Sequence, residues 1–475
     1  MNFSSDYSMT IGGQSVVGDE TFSVINPATE EEIGRAPDCS RAQLDQAVAA
    51  ARTAFPAWRA TPFAERKQYV AAIGAKIAEH ADELKMLLTR EQGKPHKDAA
   101  GDVLGGAYWC HAISTLDLPV TIAEDSADRR TEIRHVPLGV VGAIAPWNFP
   151  IILAMFKVAP ALLAGNCVVL KPSPFTPLTT LKLGELLREV LPAGVLNVIS
   201  GGDQLGPWLT SHAGVDKISF TGSTQTGRKV MASASETLKR VTLELGGNDA
   251  AIILPDVDVA AMAEDIFWAA FRNSGQVCVA TKRMYVHADV YDSLKDAIVA
   301  YASTISVGDG SKQGVQLGPI QNAAQYARVL ELIADSKAQG HHFLMGGDVW
   351  DQPGYFVPVT ILDNPPEDAR IVQEEQFGPV LPLIKVDSVE DAIRRANASE
   401  YGLGASVWSS DEDKARAVGD QLDAGTVWIN EAGHIAPLVP FGGHKQSGIG
   451  REGGIAGLTE YTNSQVIFVK KRAAA

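Results

Sequence analysis

From Val140 onward the chain changes rhythm. Short apolar runs (Val140 to Ala145, Cys167 to Leu170, Leu196 to Ile199, Ile218 to Phe220, Val241 to Leu243, Ala250 to Leu254) alternate with segments of helical periodicity. Continuous apolar runs of this length suit strands buried on both faces, and an intervening helix lets each strand return parallel to the last. The alternation therefore predicts βαβ units and a largely parallel sheet. A second series (Arg283 to His287, Tyr291 to Tyr301, Gln325 to Lys337, Asp387 to Asn397, Thr426 to Asn430) predicts a second α/β domain. Upstream, Val70, Ile73, Ile77, Leu84, Leu87 and Leu88 recur at helix spacing within residues 41–92, and Gly93 with Pro95 supplies a stop. At 475 residues and 45% hydrophobic content the chain exceeds one core, so two or three domains with clefts between them are expected.

Local signals refine this outline. Thr176 reads as an N-cap with Pro177 at the first helical position. A helix is expected from about Val259 to Asn273, with Val259, Met262, Ala263, Ile266, Phe267, Ala270 and Phe271 on one face and Gly275 ending it, which leaves Cys278 in a loop. Residues 117–137, with Thr131 to Val136 alternating, and Ser464 to Lys470 read as strands pairing at an edge, to be covered by another subunit.

Composition narrows the partners. A net charge of −15, with only Lys470, Lys471 and Arg472 as a basic run, opposes nucleic acid. Cys39, Cys110, Cys167 and Cys278 are scattered without CxxC or a Cys/His cluster, which reads as reduced thiols in the cytoplasm. The N-terminal residues lack the basic and apolar regions of a secretion signal. Between Val140 and Leu170, Pro146, Asn148, Pro150, Lys157 and Pro160 interrupt the apolar stretch before a membrane span of about 20 residues accumulates. His341 and His342 are adjacent and would point to opposite faces of a strand, so no metal site is expected.

Several residues could carry chemistry, each with a plainer alternative. Cys278, in Gly275-Gln276-Val277-Cys278-Val279-Ala280, is either a nucleophile or a small core hydrophobe. Glu244 ends an apolar strand before Gly246 and Gly247; desolvation there would suit a general base, whereas a turn outward would leave it solvated. Asn148, in Pro146-Trp147-Asn148-Phe149-Pro150, offers an amide to a developing oxyanion or to a turn. Residues 219–227 place a small-residue turn with Gly222, Ser223 and Gly227 between a strand and a helix, an anion cradle in form. Arg228-Lys229 replaces the Lys-Ser/Thr of a P-loop, and the three-glycine dinucleotide fingerprint is absent. Lys171 ends its strand before Pro172 and Ser173, where it meets a ribose or phosphate, or only solvent.

Taken in order, PWNFP at 146–150, KPSP at 171–174, FTGST at 220–224, LELGG at 243–247, GQVC at 275–278, EEQFGPV at 374–380 and PFGG at 440–443 resemble the aldehyde dehydrogenase superfamily over essentially the whole chain. The resemblance implies two Rossmann-like α/β domains plus a β-strand oligomerisation element: a cofactor domain at 1–116 and 138–246, a catalytic domain at 247–445, and an oligomerisation element at 117–137 and 446–475. A homodimer or homotetramer would follow. It further implies NAD or NADP as cofactor, Cys278 as nucleophile, Glu244 as the base that activates water, and Asn148 with the Cys278 N–H as oxyanion hole. Ile144, Pro146, Trp147, Lys171, Ser173, Pro174, Phe220, Gly222, Ser223, Gly227, Glu375 and Phe377 would hold the cofactor, with Lys171 and Glu375 on ribose hydroxyls, Ser223 on the pyrophosphate and Phe377 beside the nicotinamide.

The chain departs from the family at Pro174, where many relatives carry a Glu that binds ribose hydroxyls and repels a 2′-phosphate, so use of both cofactors is the expectation. The pocket positions map to Phe149, Leu153, Phe156, Val277, Val279, Ile435 and Phe441, a mostly apolar set, and no Arg lies between Asn430 and Gly443. Medium aliphatic or aromatic aldehydes are therefore expected over succinic semialdehyde. Two rivals remain: a CoA-acylating relative, which has no need of Glu244, and a catalytically silent nucleotide-binding relative, which would be expected to have lost Cys278 or Glu244.

Overall fold

An eight-stranded sheet carries the first half of the alternating series, in the order Gln14–Val16, Met9–Ile11, Leu196–Val198, Cys167–Lys171, Val140–Ile144, Lys217–Thr221, Arg240–Glu244, Gly448–Ile449. The structure is a computed structural model that describes residue 3 and residues 5–471; Met1, Asn2, Ser4 and Arg472 of the basic run lie outside the described residues. The five central strands are parallel, and the short outer ones pair antiparallel. From Val140–Ile144 the chain steps outward twice to one side, then crosses to Lys217–Thr221 on the other. That reversal opens a crevice at the carboxyl ends of the strands, the usual ligand position in such sheets. Register brings the same ends together: Ile144 lies opposite both Lys171 and Phe220, and Thr221 lies opposite Glu244.

The second half forms a seven-stranded sheet, His342–Met345, Thr360–Asp363, Val380–Val386, Thr281–His287, Asp249–Ile253, Gly404–Trp408, Thr426–Ile429, parallel except at the His342–Met345 edge. Its two faces are covered by separate apolar clusters, one around Leu332 and Val407, the other around Phe267 and Leu294. This is the α/β architecture expected. The two predicted edge segments pair with each other: Thr462–Lys470 runs antiparallel to Arg129–Pro137, which pairs with Thr121–Asp125 in a separate three-stranded sheet. Of the chain after residue 446, Gly448–Ile449 closes the first sheet and only Thr462–Lys470 joins this arm.

Three helices fill residues 41–92: Arg41–Ala60, Phe63–Glu79 and Ala81–Gln92. Gly93 ends the last at φ 95°, a conformation that suits glycine. Two local readings need correction. The helix expected to start at Pro177 runs Leu178–Leu187, and the Thr176 hydroxyl makes no hydrogen bond. The cap comes from a distant residue, Glu91, whose carboxylate accepts the N–H groups of Leu178 at 2.7 Å and Thr179 at 2.9 Å. The helix expected to reach Asn273 stops at Phe271 and turns into a left-handed stretch, Asn273 (φ 51°), Ser274 (φ 56°) and Gly275 (φ 71°).

Candidate functional site

Two cavities flank the segment Pro146 to Phe149, with Trp147 lining one and Asn148 and Cys278 the other. The first, about 450 Å³, lies in the crevice of the first sheet and is lined by Ile144, Pro146, Trp147, Lys171, Ser173, Pro174, Phe220, Gly222 and Ser223 of the predicted cofactor set. Phe175, Asp203, Pro207, Thr210, Thr226, Lys229 and Val230 join them, none singled out from sequence because they sit on helices and loops whose facing only the fold fixes. Ser223 caps the Thr224–Ser235 helix, its hydroxyl accepting the Thr226 N–H, so the helix start opens toward the cavity with its partial positive charge. Gly222 is held against the Phe220 ring, where a Cβ would come within 2.5 Å. Lys171 is buried and its ammonium donates to the Pro172 carbonyl; burial pulls its pKa down to about 8 against the pull of Asp203 and Asp38. Three predicted cofactor residues stand outside the lining. Gly227 faces Leu245 one turn into the helix, while Glu375 and Phe377 sit on the second half of the molecule, with the Phe377 ring edge-on to Trp147 at 5.3 Å.

The second cavity, about 220 Å³, brings together Asn148, Phe149, Leu153, Phe156, Val277, Cys278, Val279 and Ile435 of the sequence candidates with Ile152, Trp268, Ala269, Arg272, Ala280, Ala432 and Gly433. Phe441 is not in the lining; it packs behind Val279 with Leu403 and Trp428. Arg272 is not among the expected pocket positions: it caps the end of the Val259–Phe271 helix, and only the fold turns it to the pocket. The pocket is otherwise apolar, and Phe156 is fixed in it by stacking on Trp109 at 3.5 Å.

Cys278 follows the left-handed turn, which is held by side chains reaching back: Ser274 Oγ donates to the Gly318 carbonyl at 2.7 Å, and Gln276 Nε2 to those of Asn273 at 3.0 Å and Pro319 at 3.2 Å. Non-glycine residues in this region each cost about 1–3 kcal/mol and persist where surroundings over-determine them. Gly275 has no substitute, since a Cβ would lie 2.1 Å from the Gly378 carbonyl oxygen. Asn148 meets this turn: its Nδ2 donates to the Gln276 carbonyl at 3.0 Å, leaving the second amide hydrogen for the pocket it lines. The backbone of Asn148 is fixed from behind by a buried pair, Lys94 with Asp102 at 3.1 Å, whose ammonium also donates to the Asn148 carbonyl at 2.8 Å and lies 3.8 Å from the Phe149 ring centre.

The electrostatics are those of a dry, acidic site. Burial pushes the Cys278 thiol up to about 12; Lys282 pulls it down, and Asp249, Glu244 and Glu375 push it further up. Glu244 is buried and neither carboxylate oxygen has a hydrogen-bond partner among the described residues, so burial first and Glu452 second hold its pKa well above the usual carboxylate range, against Lys157 and Arg451. The outward, solvated alternative for Glu244 is thereby excluded. Lys157 itself is tied to Glu452 and Thr221, each at 2.7 Å. Among the described residues no group of His, Cys, Asp and Glu is placed to hold a metal ion, and no helix is long and apolar enough to cross a membrane.

The aldehyde dehydrogenase family profile matches residues 15–467, and the chain belongs to that family. It is similar to a probable aldehyde dehydrogenase from a Pseudomonas species, 42% identical over 99% of this chain and 96% of the relative. Among solved structures, an NAD+ complex of an aldehyde dehydrogenase from Bacillus cereus matches at TM-score 0.95 and 37% identity, covering 98% of this chain and 97% of that one. An NADP-dependent enzyme from E. coli matches at TM-score 0.94 and 36% identity over 98% of each chain.

Proposed function

We propose that the chain oxidises an aldehyde to a carboxylic acid with NAD or NADP through a thioester on Cys278. The observation that carries this reading is the placement of Cys278 and Asn148 in one apolar pocket, within the field of a buried, unpartnered Glu244. A nicotinamide dinucleotide fits the crevice: the open helix start and Ser223 suit a pyrophosphate, and Lys171, a buried donor spent on one neighbouring carbonyl, suits a ribose hydroxyl. Phe377, outside the cavity but adjoining it through Trp147, and Glu375 nearby in sequence, would complete its nicotinamide end. When bound, the cofactor accepts hydride from the carbon that the thiol has attacked.

The residues of the chain do the rest. The sulfur of Cys278 adds to the aldehyde carbon held in the apolar pocket, and the oxygen that gains charge is met by the free amide hydrogen of Asn148 and the Cys278 N–H. Loss of hydride leaves a thioester. Glu244, its proton affinity raised by burial and by Glu452, then takes a proton from water, and the hydroxide that forms cleaves the thioester. Retention of Glu244 supports water over CoA as acyl acceptor.

The apolar lining supports medium aliphatic or aromatic aldehydes. One observation favours a second reading: Arg272, exposed at the pocket, offers a counter-charge to an aldehyde with a carboxylate at its far end. Pro174, with no carboxylate to read ribose hydroxyls or repel phosphate, supports dual cofactor use; similar KM values would bear this out, and a preference of about a thousandfold, roughly 4 kcal/mol, would sink it. The exposed Val466, Phe468 and Val469 on the three-stranded arm support a homodimer or homotetramer built on residues 117–137 and the C-terminal strand, with the two large sheets as cofactor and catalytic domains. Four free thiols support a reducing, cytoplasmic setting.

The test is reduced-cofactor formation by the purified protein with each cofactor and hexanal, benzaldehyde or succinic semialdehyde, beside Cys278→Ala. Turnover that vanishes in the variant is expected, and turnover that survives it overturns the thiol mechanism.

A further inference from the structure

Lys282 is the second residue of the strand Thr281–His287, four residues beyond Cys278, and its side chain is buried beneath the Cys278 backbone. The ammonium donates to the carbonyls of Cys278 at 2.6 Å, Val277 at 3.1 Å and Ala280 at 3.4 Å, and stands 3.4 Å from Oε1 of Glu375. The same Oε1 accepts the Gly247 N–H at 3.1 Å, and the ammonium lies 6.0 Å from the Phe377 ring centre. A buried ammonium carries a desolvation cost of several kcal/mol, met here by acceptors on two different parts of the site. One part is the turn that presents the thiol. The other is the carboxylate and ring assigned above to the nicotinamide end of the cofactor.

We propose that Lys282 is a positioning residue that ties the Cys278 turn to Glu375, so that engagement of Glu375 by the cofactor is transmitted to the thiol. The proposal rests on the reading of Cys278 as nucleophile and Glu375 as a cofactor contact. The groups acting on the thiol are Lys282, Asp249, Glu244 and Glu375, and only Lys282 favours the thiolate. While Glu375 faces the ammonium it offsets that favour. Hydroxyl donors on Glu375 loosen its hold, and more of the Lys282 field falls on the Cys278 backbone and sulfur.

The experiment is the pH profile of Cys278 alkylation by iodoacetamide, followed by peptide mass in the intact protein, with and without NAD+. Cys39, Cys110 and Cys167 are buried and leave Cys278 as the accessible thiol. In wild type, NAD+ is expected to shift the profile to lower pH. In Lys282→Met the profile moves up by about one pH unit, slowing alkylation near neutrality about tenfold, and NAD+ no longer shifts it; Lys282→Arg restores part of both effects. A folded Lys282→Met protein with the wild-type profile and the wild-type response to NAD+ overturns the proposal. Should that variant fail to fold, Glu375→Gln breaks the tie and leaves the carbonyl contacts: a profile at lower pH without NAD+ and insensitive to it supports the proposal, and an unchanged profile overturns it. Turnover that survives Cys278→Ala sinks the parent reading instead, whatever the alkylation profiles show.

Discussion

The two walls around the Cys278 sulfur differ in kind. In front lies the pocket of Phe149, Leu153, Phe156, Val277, Val279 and Ile435, where Arg272 is the charged side chain in the lining. Behind lie Glu244, Glu375, Asp249, Lys282 and, one layer deeper, Lys157 with Glu452. The front wall offers contact area without direction, which sorts ligands by shape and solubility. The back wall holds charge away from water, where each group shifts its neighbour's proton affinity and a single removal is felt by all. On the proposed function, the front sorts substrates and presents the Asn148 amide, and the back supplies the base and the charges that act on the thiol.

The largest effect expected is from Glu244→Gln, which keeps shape and removes the base. Water attack should fall by about 10²–10⁴-fold, while thioester formation persists. A stopped-flow burst of about one reduced cofactor per active site followed by near silence is the expected trace; a variant turning over like wild type would move the base elsewhere in the back wall. The raised pKa of Glu244 also fixes a sign: the carboxylate works only ionised, so the rate of the water step should climb with pH through that pKa.

Next comes Lys157→Met. Lys157 and Glu452 form a fully buried pair, and removing one partner strands the other, at a cost of about 3–5 kcal/mol. A thermal melt should show a drop in Tm, and Lys157→Met with Glu452→Gln should recover much of it. If the double variant melts no higher than the single, the pair is not what couples them.

The back wall also predicts how stability responds to pH. Asp249 is buried with neither carboxylate oxygen hydrogen-bonded to a side chain, and burial raises its pKa from 3.8 to about 7 in the folded chain. Glu91, the cap of the Leu178–Leu187 helix, is raised to about 7 as well. A carboxyl that holds its proton more tightly when folded stabilises the protonated form, so these groups favour folding most below the unfolded value and lose that contribution as pH rises from about 4 toward 7. Urea midpoints measured across that window should fall more steeply in wild type than in Asp249→Asn; parallel curves would mean that Asp249 ionises freely.

How much of this was legible in the sequence follows the same division. PWNFP, LELGG and GQVC single out Asn148, Glu244 and Cys278, each with a plainer alternative, and it is the family resemblance of the ordered motifs that gives them roles. The crevice of the first sheet is legible for a physical reason: strand ends and the turns after them gather at one edge of a parallel sheet. The networks that hold these residues were not readable. Glu91 caps a helix 87 residues away, Lys94 fixes the backbone at Asn148 across 54 residues, and Lys157 finds Glu452 across 295. Glu91 and Lys157 are charged residues in helical patterns and Lys94 sits in the stop between two helices, each indistinguishable from a solvated residue until the fold buries it. The turn before Cys278 misled for a different reason. Gly275 is the expected breaker, but the helix already ends at Phe271, and Asn273 and Ser274 adopt positive φ in a loop to which Gly318 and Pro319 supply carbonyls.

The smallest expected effect lies in the front wall and decides between its two readings. Arg272 is exposed, so its pull on a substrate carboxylate is screened and worth at most about 1 kcal/mol, roughly fivefold in kcat/KM. Arg272→Gln should leave hexanal untouched and lower kcat/KM for succinic semialdehyde by no more than that factor. Leu153→Ala, by contrast, removes contact area and should weaken hexanal by about 1–3 kcal/mol while sparing the small semialdehyde. Were Arg272→Gln to cost the semialdehyde a hundredfold, the guanidinium would have to be drawn in and desolvated when substrate binds, and the front wall would share the charged logic of the back.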